Sequence, residues 1–191
     1  DYSLSAGLKV VTSDYRSADV QDLAGAEEIL QVSPRLRFVR AVVSPAGIWL
    51  ALLDSAQTNL EVWNITNKTL RGQFRAEVSN STNYRAQFSQ PDDRLILISG
   101  SDVQLLNLNS GAFSPVMGHD QVVSDAALSP DKTLVVVSTF GQLNNQSGGI
   151  LKLWDAAAGK DMGAILMARG QGSRVIFSKN DRLLAASTGN A

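Results

Sequence analysis

Four segments of the chain repeat one pattern of apolar and polar positions. In each, an apolar run ends and is followed by Ser, by a short polar turn and by a second apolar run. The last residues of the first runs lie 45, 40 and 49 residues apart, at Val43, Phe88, Leu128 and Phe177. Because Pro, Asp, Asn and Gly in these turns accept tight-turn geometry, each segment predicts an antiparallel hairpin.

Further strands are predicted after three of these hairpins. Third strands that alternate apolar and polar residues are expected at 59–64, 102–107 and 150–155. Short fourth strands are expected at 69–76, 112–117 and 161–167. The chain has almost no segment in which a helix-capping residue precedes apolar residues spaced with the period of a helix. The pattern therefore predicts an all-β fold built from four-stranded antiparallel units.

Composition narrows the classes of function. The 191 residues are 44% hydrophobic and 18% charged, which suits a packed domain and disfavours disorder. The net charge of −1 disfavours a broadly basic nucleic-acid binder, and no apolar run approaches the roughly 18 residues of a membrane span. With no cysteine and a single histidine, His119, the chain has no thiolate site and no multi-histidine metal centre.

Short motifs within the repeats give a family resemblance. The strand endings Val62-Trp63-Asn64 and Leu153-Trp154-Asp155 resemble those of the WD-repeat β-propeller family. Ser129-Pro130-Asp131 resembles that family's first hairpin turn, and Gly118-His119 resembles its Gly-His signature. The similarity covers residues 38–191 and is looser before them. It implies a β-propeller of four-stranded antiparallel blades, forming part of a seven- or eight-bladed ring.

On this resemblance the whole chain, 1–191, is a single partial propeller of about four blades. Its units are predicted as the later strands of one blade at 1–37, blades at 38–78, 79–121 and 122–171, and the early strands of a further blade at 172–191. Within the fourth unit, residues 141–149 are interpreted as a long exposed loop and a second contact surface. The ring is completed either by polypeptide outside this sequence, which we favour, or by a second copy in a homodimer.

The resemblance also implies a buried hydrogen-bond network. In the family it joins a His, a strand Ser or Thr, a turn Asp and the Trp, and here His119, Ser138 and Trp154 match three of these positions. The expected Asp before the third strand is replaced by the 141–149 insertion. The network is therefore expected to be incomplete.

Catalytic motifs are largely missing from the sequence. There is no phosphate-binding loop, no nucleophile elbow and no zinc-binding histidine pair. His119 with Asp120 or Asp125 and a nearby Ser imitates a hydrolytic triad, but the structural Gly-His interpretation fits its position better. Asp92 and Asp93 lie in a hairpin turn where Asp is common. We therefore predict no catalytic residue, cofactor or metal site.

One set of equivalent positions suggests a binding surface. Three residues before the four run-ending residues stand Arg40, Arg85, Asp125 and Arg174. In a propeller the first strands line the channel, so these side chains would surround one rim and could bind an acidic segment or an anion. The simpler alternative is that the arginines pair with Asp125 or with loop carboxylates.

The predicted function is a non-catalytic interaction scaffold that docks a protein or peptide partner on its top face and loops, as the resemblance implies. The alternative is a sensor or regulatory propeller of a larger enzyme or signalling protein whose catalytic part lies outside this sequence. We expect no nucleic-acid partner and no membrane span. No secretory signal is visible. The sequence does not identify the compartment; the cytoplasm is slightly favoured, and secretion stays open.

Overall fold

The predicted all-β class is confirmed. A computed structural model describes residues 2–5, 7–13, 16–22, 24, 28–35, 37–54, 59–79, 84–90, 92–166, 172–178 and 183–187. Across these ranges the regular structure is entirely strand and turn, arranged in antiparallel sheets of four strands and a last sheet of two. None of it is a helix that could cross a membrane.

In the described ranges, 18 strands form five sheets, and each sheet uses strands that are consecutive in the chain. Sheet 1 contains β1 (Tyr2–Ser5), β2 (Leu8–Ser13), β3 (Ser17–Asp22) and β4 (Glu28–Val32). Sheet 2 contains β5 (Phe38–Val43), β6 (Trp49–Asp54), β7 (Asn59–Asn64) and β8 (Thr69–Arg75). Sheet 3 contains β9 (Tyr84–Phe88), β10 (Arg94–Ser99), β11 (Asp102–Asn107) and β12 (Met117–Gly118).

The last two sheets continue the same order. Sheet 4 contains β13 (Val123–Leu128), β14 (Leu134–Leu143), β15 (Gln146–Asp155) and β16 (Lys160–Leu166). Sheet 5 contains β17 (Gly172–Phe177) and β18 (Leu183–Ser187). The predicted third strands therefore form as expected, whereas the predicted fourth strand at 112–117 is reduced to β12 and a single bridge between Leu106 and Phe113.

The repeated Ser closes the first hairpin of sheets 2, 3 and 4 in the same way. Ser44, Ser89 and Ser129 are 0%, 4% and 1% exposed. Each backbone N–H donates to the carbonyl of the residue five positions later, at 2.8–2.9 Å. Each Oγ accepts the N–H of that same later residue, at 2.9–3.2 Å. A small buried hydroxyl thus satisfies a turn N–H that has no strand partner, which explains why the pattern repeats Ser.

The hydrophobic cores lie between successive sheets. On β6, Leu50 and Leu52 pack with the core shared with sheet 1, whereas Ala51 and Leu53 pack with the core shared with sheet 3. Strands β10 and β14 divide their apolar residues between two neighbours in the same alternating manner. Because both faces of these strands are buried, their sequences are continuous apolar runs.

The structure corrects the predicted extent of the first unit. Residues 1–37 were expected to hold only the later strands of a blade, but the described residues 2–32 form the four strands of sheet 1. The β1–β2 turn uses Gly7, with φ of 73°, in place of the repeated Ser and polar turn, so the repeat pattern does not mark it.

The 141–149 insertion is also corrected, from a long loop to a paired arm. Strands β14 and β15 remain hydrogen-bonded through it, ending at the pair Leu143 and Gln146. Asn144 and Asn145 close the arm with φ of 51° and 63°. Two successive residues of positive φ define the tight turn that matches the twist of antiparallel strands, and Asn tolerates this conformation better than most residues.

We predict that Ser44→Ala lowers the free energy of unfolding by about 1–2 kcal/mol. The Ser44 Oγ accepts from the N–H groups of Ile48 and Trp49, at 3.1 and 3.0 Å, and alanine leaves them without this acceptor. Urea denaturation followed by tryptophan fluorescence measures the change. Ser147→Ala, on the exposed side of the arm, is the matched control and should change stability by less than about 0.5 kcal/mol. Equal losses in the two variants would contradict this role for the turn hydroxyl.

Candidate partner-binding site

Residues of the first strands β5, β9, β13 and β17 form two alternating rows. One row is buried in the cores between sheets and consists of Ala41, Ala86, Ala126 and Val175. The other row is largely half-buried or exposed and includes Val42, Gln87, Ala127 and Ile176. The predicted rim positions begin this second row, so they share a face with these residues.

The four rim positions have corresponding partners in the strand pairing. Arg40, Arg85, Asp125 and Arg174 pair with the second strands at Leu53, Ile98, Ser138 and Ala186. In three of the four sheets the rim residue directly follows a shift in the register of this pairing. Such bulges re-aim the side chain that follows, and they explain how a regular strand end presents a polar group here.

Asp125 has a different role from the one its position suggested. It is only 8% exposed, and its Oδ2 accepts the backbone N–H of Val175 at 3.0 Å. Its Oδ1 lies 3.4 Å from Nε2 of Gln87, which also donates to the carbonyl of Ala126. The buried carboxylate therefore links β13 to β9 and β17 through polar contacts, and it is not part of an exposed rim.

The three arginines remain exposed. Arg85 donates from Nη1 to the carbonyl of Ser124 at 2.5 Å, which places its guanidinium over β13. The ion pairs found in the described part of the chain join Arg94 and Lys132 to Asp93, and Lys152 to Asp161. None of these pairs includes Arg40, Arg85 or Arg174, which we call the arginine rim. The alternative that Asp125 neutralises the rim is not what the described residues show.

A cavity of about 500 Å³ lies along the same first strands. It is bounded by the ends of β9, β13 and β17 and the turns that follow them, with Gln87, Ser89 and Gln90 as polar members. The apolar members are Phe88, Ile96, Ala127, Leu128, Pro130, Val175, Ile176 and Phe177. A mixed apolar and polar lining of this volume is typical of clefts that take a ligand or a partner side chain.

A buried tyrosine beside Arg40 escaped the sequence analysis. Tyr84 is 2% exposed, and its hydroxyl has no hydrogen-bond partner in the described ranges. Burial raises the pKa of Tyr84 above its ordinary value; the Asp54 carboxylate acts in the same direction and Arg40 opposes it. The phenol therefore stays neutral and keeps a proton to donate near the rim. Nothing in the repeat pattern distinguishes this position, since Phe38 and Val123 occupy it in the sheets on either side.

Two of the three predicted network residues meet. Trp154 donates from Nε1 to Nε2 of His119 at 2.9 Å, and the ring centroids are 5.1 Å apart. The Nδ1 of His119 lies 3.1 Å from the carbonyl oxygen of Ser101, so this nitrogen carries the proton and donates. Burial lowers the pKa of His119 below its ordinary value, in keeping with a neutral ring that accepts from Trp154.

Ser138 does not join this network, which corrects the third assignment. The side chain is 0% exposed, and its Oγ has no partner within the described part of the chain. Because Trp154 reaches His119 directly, no hydroxyl bridges the two rings. Ser138 instead lies opposite Asp125 in the pairing of β13 with β14.

The pair Asp92 and Asp93 joins hairpin turns of three sheets. Asp92 Oδ2 accepts the N–H of Ala46 at 2.7 Å, and Asp93 Oδ2 contacts Lys132 Nζ at 2.5 Å. Each carboxylate thus reaches a turn of a neighbouring sheet. Among the residues whose positions are described, no three His, Asp or Glu side chains cluster as metal ligands.

Comparisons with known proteins show similarity of fold alone. No protein-family model and no curated protein matches the chain. Among solved structures, a chain of hydrazine synthase from Kuenenia stuttgartiensis is similar with a TM-score of 0.62 and 11% sequence identity. The similarity covers 94% of this chain and 52% of that one, so this chain spans about half the length of its neighbour.

We predict that, between about pH 7.5 and 5.5, stability stays constant down to about pH 6.5 and then falls because of His119. Burial holds the pKa of His119 below its ordinary value of 6.5, so below that pH the unfolded chain binds more protons than the folded chain. The stabilisation is full above about pH 6.5 and is lost as the pH falls toward the lowered pKa. His119 is the only histidine, so urea midpoints across this range report on it directly.

His119→Gln is the matched variant because glutamine keeps hydrogen-bonding groups but does not titrate. Its urea midpoint should be nearly flat between about pH 7.5 and 5.5, although lower than that of the parent at pH 7.5. A slope in His119→Gln equal to that of the parent would assign the effect to other groups.

Proposed function

We propose that the five sheets are blades of a WD-repeat-like β-propeller that belongs to a larger ring and acts as a non-catalytic interaction scaffold. The sequential four-stranded sheets, each packed face to face on the next, support this arrangement. First strands lie together on one side, as around a propeller axis, because β5 contacts β9, β13 contacts β17, and β9 donates hydrogen bonds to β13.

The docking surface in this proposal is the arginine rim, and the partner is an extended acidic segment. The observation that carries it is the exposure of three guanidinium groups at equivalent positions, without a carboxylate partner among the described residues. The chain as a whole has a net charge of −1, so this local positive charge is not a general property of its surface. Guanidinium groups bind carboxylates through two parallel hydrogen bonds, which gives both affinity and orientation.

An extended segment fits this surface better than a single small anion. The three arginines lie on three different strands. One small anion would therefore contact fewer of them than an extended segment that carries several carboxylates. The cavity of about 500 Å³ farther along β9, β13 and β17 can take an apolar side chain of the same segment. Such a segment would combine charge contacts at the rim with apolar burial below it.

A labelled octaglutamate peptide tests the proposal directly. We expect it to bind the parent chain with an affinity that falls as salt rises, because exposed charges are screened. Arg174→Glu should weaken binding by about tenfold or more, since one favourable contact becomes a repulsive one. Arg85→Glu should weaken it similarly, but this change also removes the hydrogen bond to Ser124.

Arg75→Glu is the matched control for these variants. Arg75 is exposed at the end of the outer strand β8, so the variant has the same charge change away from the rim. Circular dichroism of each variant establishes that the sheets are retained. If Arg75→Glu and Arg174→Glu weaken binding equally, the effect is net charge and the rim is not the site. If no variant weakens binding, the rim has no role.

A second candidate is a sensor or regulatory propeller of a larger enzyme whose catalytic part lies outside this sequence. The similarity to a chain named as hydrazine synthase, about twice as long, favours it. The intact mass of the native chain is the first test of this candidate, because a mass near 20.4 kDa would leave no polypeptide to carry a catalytic part. A mass far above 20.4 kDa would direct the search for catalytic residues to the remaining polypeptide.

A further inference from the structure

Sheets 2 and 3 each bind the linker that leads into them. Glu61 on β7 accepts the backbone N–H of Arg35 at Oε1, at 3.0 Å. Gln104 on β11 accepts the backbone N–H of Glu77 at Oε1, at 2.9 Å. The two side chains are 0% and 1% exposed, and both donors lie in the segment that precedes the first strand of the same sheet. In both sheets, a buried polar side chain of the third strand thus binds the backbone of the linker that precedes the first strand.

The two acceptors occupy the same position of the repeat. Glu61 pairs with Leu52 of β6, and Gln104 pairs with Leu97 of β10. Leu52 and Leu97 each lie nine residues after the last residue of the first strand in their sheet. In sheet 4 this position is Lys152, whose ammonium group cannot accept a hydrogen bond. There the linker is tied by the bond from Trp154 to His119 instead. Three successive sheets therefore join their third strand to the preceding linker.

Sheet 1 presents the same acceptor, without a donor among the described residues. Asp19 on β3 faces Gln31 across the sheet, as Glu61 faces Gln73 in sheet 2. The register shift that follows, one residue after Asp19, matches the shift one residue after Glu61. Asp19 Oδ1 is buried and has no hydrogen-bond partner in the part of the chain that is described. An unsatisfied buried acceptor is costly, and native proteins contain few of them.

We propose that Asp19 Oδ1 accepts a backbone N–H from an extended linker that enters β1 from a further four-stranded sheet. In sheets 2 and 3 the donor lies three and seven residues before the first strand, so the equivalent donor belongs ahead of Tyr2 in a longer polypeptide. The partner of this surface is a backbone segment of the same repeat. The inference rests on the larger ring of the proposed function, but it concerns sheet 1 and does not involve the arginine rim.

The chain itself provides the probe for this site. Residues 31–40, which contain the donor of sheet 2, are copied directly ahead of Tyr2 in place of Asp1. The copied Arg35 then lies six residues before Tyr2, as Arg35 itself lies six residues before Ala41, the residue of β5 that corresponds to Tyr2 in the strand pairing. The extension should raise the thermal midpoint by about 2–4 °C, as expected for one buried hydrogen bond in a domain of this size. The amide of the copied arginine should be protected from hydrogen exchange, which a merely longer chain would not produce.

Variants at Asp19 make the test specific. Asp19→Ala should abolish both the shift in midpoint and the amide protection, whereas Asp19→Asn should retain them because its carbonyl oxygen still accepts. Asp22→Ala, three residues along β3, is the matched control in which the extension should still stabilise. An unchanged effect of the extension in Asp19→Ala, or an unprotected arginine amide in the parent, overturns the proposal.

Light scattering of the unextended chain tests the other source of the donor. The proposal expects a monomer at the concentrations of the stability measurements. Self-association that Asp19→Ala abolishes would identify a second copy as the donor and would also overturn the proposal.

Discussion

The structure depends on burying both faces of every inner sheet. Leu95 and Leu97 of β10 pack toward sheet 2, while Ile96 and Ile98 of the same strand pack toward sheet 4. A sheet with this alternation cannot cover its own apolar residues, because strand side chains point in opposite directions. Each sheet is therefore half of two cores, and its stability is coupled to its neighbours as in other repeat proteins.

Stacked apolar faces fix the distance between sheets but not how the chain passes from one sheet to the next. That passage is fixed by polar groups that are few and buried, such as Glu61, Gln104 and the His119–Trp154 pair. A buried acceptor that loses its donor is penalised far more than an exposed one, so each tie favours one path for the linker over sliding alternatives. Asp125 has the same effect among the first strands, since its carboxylate is bound from two sides.

The sequence predicted the features that each repeat carries locally, and it missed those that depend on contacts with neighbouring sheets or on a single turn. The hairpins marked by Ser44, Ser89 and Ser129 form as expected because the turn is a local device that each segment carries in full. Sheet 1 was underestimated because its first turn uses Gly7 and no Ser, and the arm was taken for a loop because its register depends on Asn144 and Asn145 at positive φ. Spacing identified the rim positions, but the burial of Asp125 arises from β9 and β17, which lie far from it in sequence.

The charge of the rim follows from this same packing. If Asp125 were exposed like its equivalents, its carboxylate would be free to neutralise a neighbouring arginine, and little attraction for an acidic partner would remain. Its oxygens are instead held by the Val175 N–H and near Gln87, so rotating it toward an arginine would leave that N–H unsatisfied in a buried place. The interaction that joins the first strands therefore also withdraws the negative charge from the surface. A mutation that released Asp125 would weaken both the packing of sheets 3, 4 and 5 and the positive face that they present.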